Sequence, residues 1–434
     1  MIEQQPSCED PSDPGLLPVE EALARIRQML PVQKAADALN ANLKDATGHI
    51  LAEDIVSPID VPDFTNSAMD GYAIASADIP SASEGTATLQ VVGTSWAGRV
   101  YEGTVQRGQA VRIMTGGMMP AGLDTVVIQE HVQVSENGDD VVIDHQVEKG
   151  RNVRHAGEDV TTGQCVLQRG EFLGPAQIGH LASLGISSVK VSKPLTVAFF
   201  TTGDELRALD DQPGVALSPG QLYDSNRYTL HAMLERLGVT VIDVGIVRDN
   251  PEATRKAFEH AAANADVIVT SGGVSAGEAD YVTRVIHEIG NVGFWKIAMR
   301  PGRPLAFGTI GTSDSTKESV FFGLPGNPVA VMVTFYEFVQ PAILHMMGAT
   351  RTHAPLLSAR CLSKLKKSPG RTEYQRGILS LDENGQNVVE TTGKQGAGRL
   401  SSMCSANCLI VLPPGKDQIT PGDDVTVRPF FGLV

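Results

Sequence analysis

At 434 residues the chain exceeds what a single hydrophobic core organises, so two to four domains are expected. A formal net charge of −15 sets the average surface against nucleic acid, although a local cluster of Lys, Arg or backbone N–H groups can still hold a small anion. No run of about 18 or more purely apolar residues occurs, so no membrane span is expected. The five cysteines are odd in number and form no C-x-x-C; Cys404 and Cys408 are close enough in sequence to pair or bind metal, but free thiols in a reducing cytoplasm are the simpler expectation.

Residues 1–15 contain Glu3, Glu9, Asp10 and Asp13, and no Lys or Arg precedes Arg25. A signal peptide needs a basic start and an apolar stretch, so this lead reads as a disordered acidic segment of a cytoplasmic protein. Val19, Leu23, Ile26 and Leu30 then recur at helical spacing behind Pro18. From about residue 60 to 148 short β-type runs follow one another (88–92, 111–114, 125–129, 141–143), parted by glycine turns such as Asn137-Gly138, and predict a small β-rich domain. Residues 175–184 read as a helix and 187–191 as a strand.

From Leu195 the pattern alternates. Strands are expected at 195–201, 239–247, 267–270 and 320–324, and helices at 226–237, 251–263, 281–289 and 329–339, with Asp224 or Ser225 as an N-cap. That alternation predicts a doubly wound parallel sheet over about 193–347. Beyond Gly348 short strands such as 409–412 and 425–429, punctuated by Pro413-Pro414-Gly415 and Pro421-Gly422, predict a small C-terminal β-barrel or sandwich over 348–434.

Four loops at predicted strand ends carry glycine and acid: Thr201-Thr-Gly-Asp-Glu-Leu206, Val247-Arg-Asp-Asn250, Ser271-Gly-Gly-Val-Ser-Ala-Gly-Glu-Ala-Asp-Tyr281 and Gly323-Leu-Pro-Gly-Asn-Pro328. In a parallel sheet all four meet in one crevice. Gly272 and Gly273 let the backbone approach a ligand, and a helix after Pro328 is expected to aim free N–H groups at an anion. Glu205, Asp249 and Asp280 are hard oxygen donors of the type Mg²⁺ takes. Each loop by itself is equally consistent with an ordinary turn. Neither a Walker A string nor a G-x-G-x-x-G fingerprint is present.

Lys296, Arg300 and Arg303 crowd into Phe294–Pro304, and in one continuous strand Lys296 and Arg300 would share a face. Spacing alone leaves open whether this is an anion site or a solvated edge. Lys366, Lys367 and Arg371 form a second basic segment. Asp70-Gly71, inside Asp63-Phe-Thr-Asn-Ser-Ala-Met-Asp-Gly-Tyr-Ala73, reads as a turn by residue chemistry alone.

Taken in order, Asn66-Ser-Ala-Met-Asp-Gly-Tyr72, Arg112-Ile-Met-Thr-Gly116, Gly157-Glu-Asp159, Ser271-Gly-Gly-Val-Ser275 with Gly277-Glu-Ala-Asp280, Gly323–Pro328, and Gly370-Arg371 with Gln375-Arg-Gly377 resemble the MoeA-type molybdopterin molybdenumtransferases, the group that includes the E domains of gephyrin-like and plant Cnx-like proteins. The resemblance spans nearly the whole chain after residue 18. It implies an α/β plus β protein of four domains: residues 18–59 and 149–192 as one discontinuous unit, 60–148 inserted into it, 193–347 as the molybdopterin-binding unit, and 348–434 as the barrel. It also implies a homodimer whose active site lies between subunits, and other molybdenum cofactor biosynthesis proteins as partners.

The implied reaction takes molybdate and molybdopterin-adenylate to molybdenum cofactor and AMP with Mg²⁺. Glu205, Asp249 and Asp280 are then the metal ligands, and Lys296, Arg300 and Arg303 the anion contacts. Ser271, Gly272, Gly273, Ser275, Pro325, Gly326 and Asn327 bind substrate. Asp70 and Thr115 come from the partner, and Arg371 with Ser401 or Ser402 touches molybdate. The chain departs from the family's frequent pattern in carrying Arg300 and Arg303 where Lys is common, and Ala330 where Ser is common. A molybdopterin adenylyltransferase, which would adenylate without molybdate, and a gephyrin-like scaffold, which would bind a peptide without turnover, remain the alternative readings.

Overall fold

The apolar run beginning at Leu195 sets the centre of the fold. The computed structural model describes residues 15–32, 37–209, 211, 214–273, 281–311, 318–416 and 418–430. The expectations for the acidic lead, Cys8, Ser275 and Asp280 therefore lie outside the described residues. In chain order, α1 (Val19–Met29) precedes β1 (Leu39–Asn42). A six-stranded sheet follows, built from β2 (Gly71–Ile74), β3 (Thr86–Ser95), β4 (Gln109–Ile113), β5 (Thr125–Ile128), β6 (Gln133–Val134) and β7 (Asp140–Asp144), in the order β5-β2-β4-β3-β7-β6. Then come α2 (Pro175–Ser183) and β8 (Ser188–Val191), and β8 returns to pair antiparallel with β1, Leu39 opposite Val191. The chain thus leaves and rejoins the same small sheet around the β-rich segment.

The central sheet contains β9 (Thr196–Thr202), β10 (Thr240–Val247), β11 (Val267–Ser271), β12 (Gly290–Lys296), β14 (Pro304–Gly311) and β15 (Glu318–Leu324), with β13 (Met299–Arg300) interrupting the run. Its order is β10-β9-β11-β15-β14-β12. The first four strands are mutually parallel, whereas β14 runs antiparallel to β15 and β12 antiparallel to β14. The sheet is therefore mixed, a correction to the parallel sheet expected from the alternation. The reason is visible in the chain: after α5 (Tyr281–Ile289) the strand β12 follows without a loop, and a short return through Pro301-Gly302 closes a hairpin that needs no crossover helix.

Alternation along β9 explains why both faces are covered. Val197 and Phe199 point into a core with Leu230, Met233 and Leu234 of α3 (Ser225–Arg236) and Val329, Val331 and Val333 of α6 (Pro328–Thr334). Ala198 and Phe200 point into a second core with Phe258 and Ala261 of α4 (Pro251–Asn264) and Val285 and Ile286 of α5. A two-residue period in a strand buried on both sides demands apolar residues at every position, which is what this run supplies. The N-cap expectation holds: the Asp224 side chain accepts from Arg227 N at 3.1 Å.

The segment Pro328–Met346 continues from α6 through a π-helical turn (Phe335–Val339) into α7 (Gln340–Met346). It is the stretch among the described residues long and apolar enough to cross a membrane, and 89% of its most apolar window is buried inside the protein, as in a core helix. Beyond it, β16 (Leu357–Cys361), β17 (Thr372–Leu381), β18 (Asn387–Thr391), β19 (Cys408–Leu412) and β20 (Asp424–Pro429) close a five-stranded barrel, with β17 pairing both β18 and β19 and β13 attached at its edge. Cys361 and Cys408 are buried in it, Cys165 and Cys404 are exposed, and all four are free thiols.

A charged contact fixes the barrel against the central helix. Arg428 Nη1 of β20 lies 2.5 Å from Glu337 Oε2 in the π turn, both side chains being buried. The buried Tyr374 hydroxyl of β17 donates to the same carboxylate, and burial pushes its pKa well above the usual phenol value. A buried pair of this kind is neutral in stability against an apolar pair of similar volume, but removing one partner strands the other charge. Glu337→Ala is expected to cost about 3–5 kcal/mol in urea unfolding. Glu337→Leu combined with Arg428→Met is expected to recover most of that loss. Equal stability of Glu337→Ala and wild type would contradict the role given to the contact.

Candidate active site

Parallel register brings the four strand ends together. Thr201 of β9 pairs with Ser271 of β11, Ser271 with Leu324 of β15, and Thr202 with Val247 of β10. Ser271, Gly272, Gly273, Pro325, Gly326, Asn327, Glu205 and Asp249 therefore gather at one edge, as the sequence predicted. Gly272 has φ +93°, and a Cβ there would stand 2.8 Å from both the carbonyl and hydroxyl oxygens of Thr202, so only glycine fits. A Cβ on Gly326 would come 3.9 Å from the Gly272 Cα, so the two loops lie against each other.

The residue that ties these loops is Asn226, in the first turn of α3. Its Nδ2 donates to Ser271 Oγ at 2.9 Å and to the Gly326 carbonyl at 2.8 Å, while Ser271 Oγ donates to the Pro325 carbonyl at 3.2 Å. Beside it, buried Thr201 donates to buried Asp224. Asn226 Oδ1 and Thr270 Oγ1 are buried and make no hydrogen bond to the described residues. Sequence reasoning saw Asp224 only as a cap and missed Asn226; its one signal was a polar residue placed on the core face of an amphipathic helix.

The acids divide. Asp249 has its carboxyl pKa raised, first by burial and then by the charges of Asp204 and Glu205. Asp204 Oδ1 accepts from Asp249 N at 3.2 Å. Glu205 and Asp249 are thus neighbours, and Asp204 is a third carboxylate the sequence reading passed over. No close group of three His, Cys, Asp or Glu suited to a metal occurs among the described residues, and Asp280, the third expected ligand, lies outside them.

The basic residues are not where a single strand would put them. Lys296 ends β12, is 9% exposed, and its carbonyl accepts from Leu17 N at 2.8 Å. Arg300 belongs to β13, is exposed, and lies 3.7 Å through Nη1 from Glu373 Oε1 on the barrel. The shared-face expectation for Lys296 and Arg300 is therefore corrected: the chain leaves one sheet and enters another between them. Arg303 and Arg371 are both half-buried, Arg303 just before β14 and Arg371 just before β17.

The first amide of the α6 helix start is already engaged. Pro328 has no N–H, and the next amide, Val329 N, donates to the Ala397 carbonyl at 3.0 Å, so a loop of the barrel region occupies that end of α6. The same loop leads into a short helix, α8 (Ser401–Cys404), where Ser401 is exposed and buried Ser402 accepts from Arg376 Nε at 3.0 Å.

Asp70 and Thr115, distant in sequence from each other, are brought into contact. Asp70 Oδ1 accepts from Thr115 N and Thr115 Oγ1, each at 2.7 Å. These bonds, the backbone one first, hold the Asp70 carboxyl below its usual range. Gly71 is needed beside it, because a Cβ would run into the Val127 carbonyl of the paired strand. Neither Asp70 nor Thr115 hydrogen-bonds the strand-end crevice within the described residues of this chain.

This is a multidomain protein with mixed sheets, a glycine-lined crevice at parallel strand ends, and a closed five-stranded barrel. Family models match almost end to end: the MoeA N-terminal region (domain I and II) over residues 17–185, a probable molybdopterin binding domain over 198–345, and the MoeA C-terminal region (domain IV) over 358–430. Molybdopterin molybdenumtransferase of Haemophilus influenzae is 42% identical over 420 residues, covering 96% of this chain and 100% of the relative. The protein of that name from a Nostoc species is 39% identical, covering 88% and 86%. A crystal structure of the molybdopterin biosynthesis moeA protein from Pyrococcus horikoshii OT3 superposes with TM-score 0.80 at 28% identity, covering 95% and 100%. The chain belongs to the MoeA family, and it is a transferase of molybdenum cofactor biosynthesis.

The Asp70 contact yields a direct test. Thr115→Val removes the hydroxyl donor and keeps the backbone one, so the Asp70 pKa is expected to rise while staying below the ordinary carboxylate value. Carboxyl NMR titration reads this directly. Because the folded-state pKa is depressed, the contact's contribution is present above the unfolded value and is lost as pH falls through the folded one. An unmoved pKa would mean the hydroxyl bond is not formed in solution.

Proposed function

We propose that this transferase inserts molybdenum from molybdate into the dithiolene of molybdopterin-adenylate and releases AMP, with Mg²⁺ required. The convergence of the Ser271–Gly273 and Pro325–Asn327 loops with the Glu205–Asp249 acids carries this reading, since glycine-lined backbone suits a phosphate and adjacent carboxylates suit its cation. The relatives' shared name, molybdopterin molybdenumtransferase, supports the substrate class.

In this reading Ser271, Gly272, Gly273 and Ser275 cradle the pyrophosphate, and Asn226 keeps the crevice open at a fixed width. Burial first, and then the charges of Asp204 and Glu205, disfavour the ionised Asp249 carboxyl, and a divalent cation held by Glu205 and Asp249, with Asp280 as the third ligand, would relieve that cost. When bound, Mg²⁺ supplies Lewis-acid polarisation of the phosphate linkage. Arg303, Arg371 and Lys296 neutralise developing oxyanion charge, with Arg forks matching phosphate or molybdate oxygens in pairs. Ser401 is the exposed hydroxyl for molybdate, and Ser402 acts through Arg376.

We further infer four units in the chain (18–59 with 149–192, 60–148, 193–347 and 348–434) and a cytoplasmic homodimer in which Asp70 and Thr115 complete the partner's crevice. An ionised carboxylate with no tie to its own crevice supports that arrangement. Other molybdenum cofactor biosynthesis proteins are its expected partners.

AMP release from molybdopterin-adenylate is expected only when molybdate is supplied; adenylation from ATP without molybdate would favour an adenylyltransferase instead. Asp249→Asn is expected to raise the Mg²⁺ concentration needed on the order of tenfold or more. Its metal-free thermal midpoint should not fall, because the lost charge was disfavoured in the folded state. At a Mg²⁺ concentration too low to support Asp249→Asn alone, mixing it with inactive Asp70→Ala subunits should restore about a quarter of wild-type turnover, since half the dimers are mixed and each holds one intact site. No recovery on mixing, with dimers exchanging freely, would place each site within one chain.

A further inference from the structure

Three carboxylates meet where β9 and β10 end: Asp204 and Glu205 follow β9, and Asp249 follows β10, close enough for the charges of the first two to act on it. Arg248 leaves β10 directly before Asp249 and is exposed. Its Nη1 donates to the Asp204 carbonyl at 3.1 Å and to the Leu206 carbonyl at 3.2 Å, and the guanidinium pairs with no carboxylate among the described residues. Those two carbonyls bracket Glu205. A guanidinium set among carboxylates ordinarily takes one in its fork. Here it is spent on backbone, so Glu205 and Asp249 keep their oxygens for another cation.

The turn that carries Glu205 is tied at each residue. Leu206 N donates to the Gly203 carbonyl at 3.3 Å, Leu222 N to the Glu205 carbonyl at 2.8 Å, and Asp249 N to Asp204 Oδ1 at 3.2 Å. A Cβ on Gly203 would stand 2.7 Å from both carboxylate oxygens of Glu205, so that side chain folds back over Gly203. Gly203 N also reaches the Val247 carbonyl at 3.4 Å. Of the contacts joining this turn to the end of β10, those of Arg248 alone extend past Glu205, to Leu206.

We propose that Arg248 is a positioning residue for the acid site: it clamps the Asp204–Leu206 turn against the end of β10, so that Glu205 and Asp249 present their carboxylates to one divalent cation. This rests on the Mg²⁺ reading given above. Arg248 acts through the backbone and touches neither metal nor substrate. Geometry and charge make opposite demands here. As a clamp, Arg248 strengthens cation binding; as a nearby positive charge, it weakens it. Removing the side chain therefore separates the two.

Calorimetric titration of the full-length protein with Mg²⁺, without pterin or molybdate, reads the effect apart from turnover. Arg248→Met is expected to weaken Mg²⁺ binding about tenfold, although a like charge has been removed, as loss of an outer-shell support does. Arg248→Lys keeps the charge and a donor but loses the planar fork, and is expected to fall between wild type and Arg248→Met. The metal-free thermal midpoints of both variants should stay close to wild type, since Arg248 is exposed. Binding in Arg248→Met that is unchanged or tighter, or a lowered midpoint with unchanged Mg²⁺ affinity, overturns the proposal and leaves the transfer reaction standing. Wild-type protein that binds no Mg²⁺ at millimolar concentration removes the Mg²⁺ reading and this proposal with it.

Discussion

The buried amide of Asn226 is the contact on which the site depends. Its Nδ2 bridges Ser271 Oγ and the Gly326 carbonyl, two groups 55 residues apart that parallel strand pairing has already brought to the same edge. Parallel pairing sets the coarse position, because it forces consecutive strand ends to one side. The amide sets the fine one, since a short bidentate donor allows neither loop to move outward without stranding a polar group in the interior. Gly272 and Gly326 can then face each other at close range, and the width of the crevice becomes a fixed property of the fold.

The barrel is held to this frame at two places of different chemistry. Far from the crevice, Arg428, Glu337 and Tyr374 form a buried polar knot around the π turn. Close to it, the Ala397 carbonyl takes the first available amide of α6. Both contacts join the barrel region to the helix that begins at the crevice, so the position of the segment before β17 and of α8 depends on them as well as on local sequence. One amide of the helix start that the sequence offers to an anion is spent on this docking.

Charge is distributed with similar economy. The short β13 leaves the central sheet and joins the barrel edge, so Arg300 turns towards Lys364, Lys366 and Arg376, whereas Lys296 stays buried at the end of β12. What reads in sequence as one basic cluster is thus divided between two sheets. Asp70 is a further element, its carboxyl pKa lowered by two Thr115 donors.

Much of this was legible in the sequence. Continuous apolar runs at 195–201, 267–270 and 320–324 determined buried parallel strands, glycine at 272 marked a close backbone approach, and Asp224 marked a helix start, because each is a local consequence of period, steric room or capping. The motif order likewise pointed to the MoeA family. The tertiary structure alone decided the antiparallel hairpin of β12 and β14, since a return through Pro301-Gly302 and a crossover are not distinguished by apolar pattern. It alone separated Lys296 from Arg300, because i,i+4 spacing carries meaning only while one strand continues. It alone gave Asn226 its role and took the α6 amide away from ligand, for a hydrogen bond between residues 45 or 68 apart leaves no trace in local sequence, and what a polar group does is fixed by whichever partner the fold delivers to it.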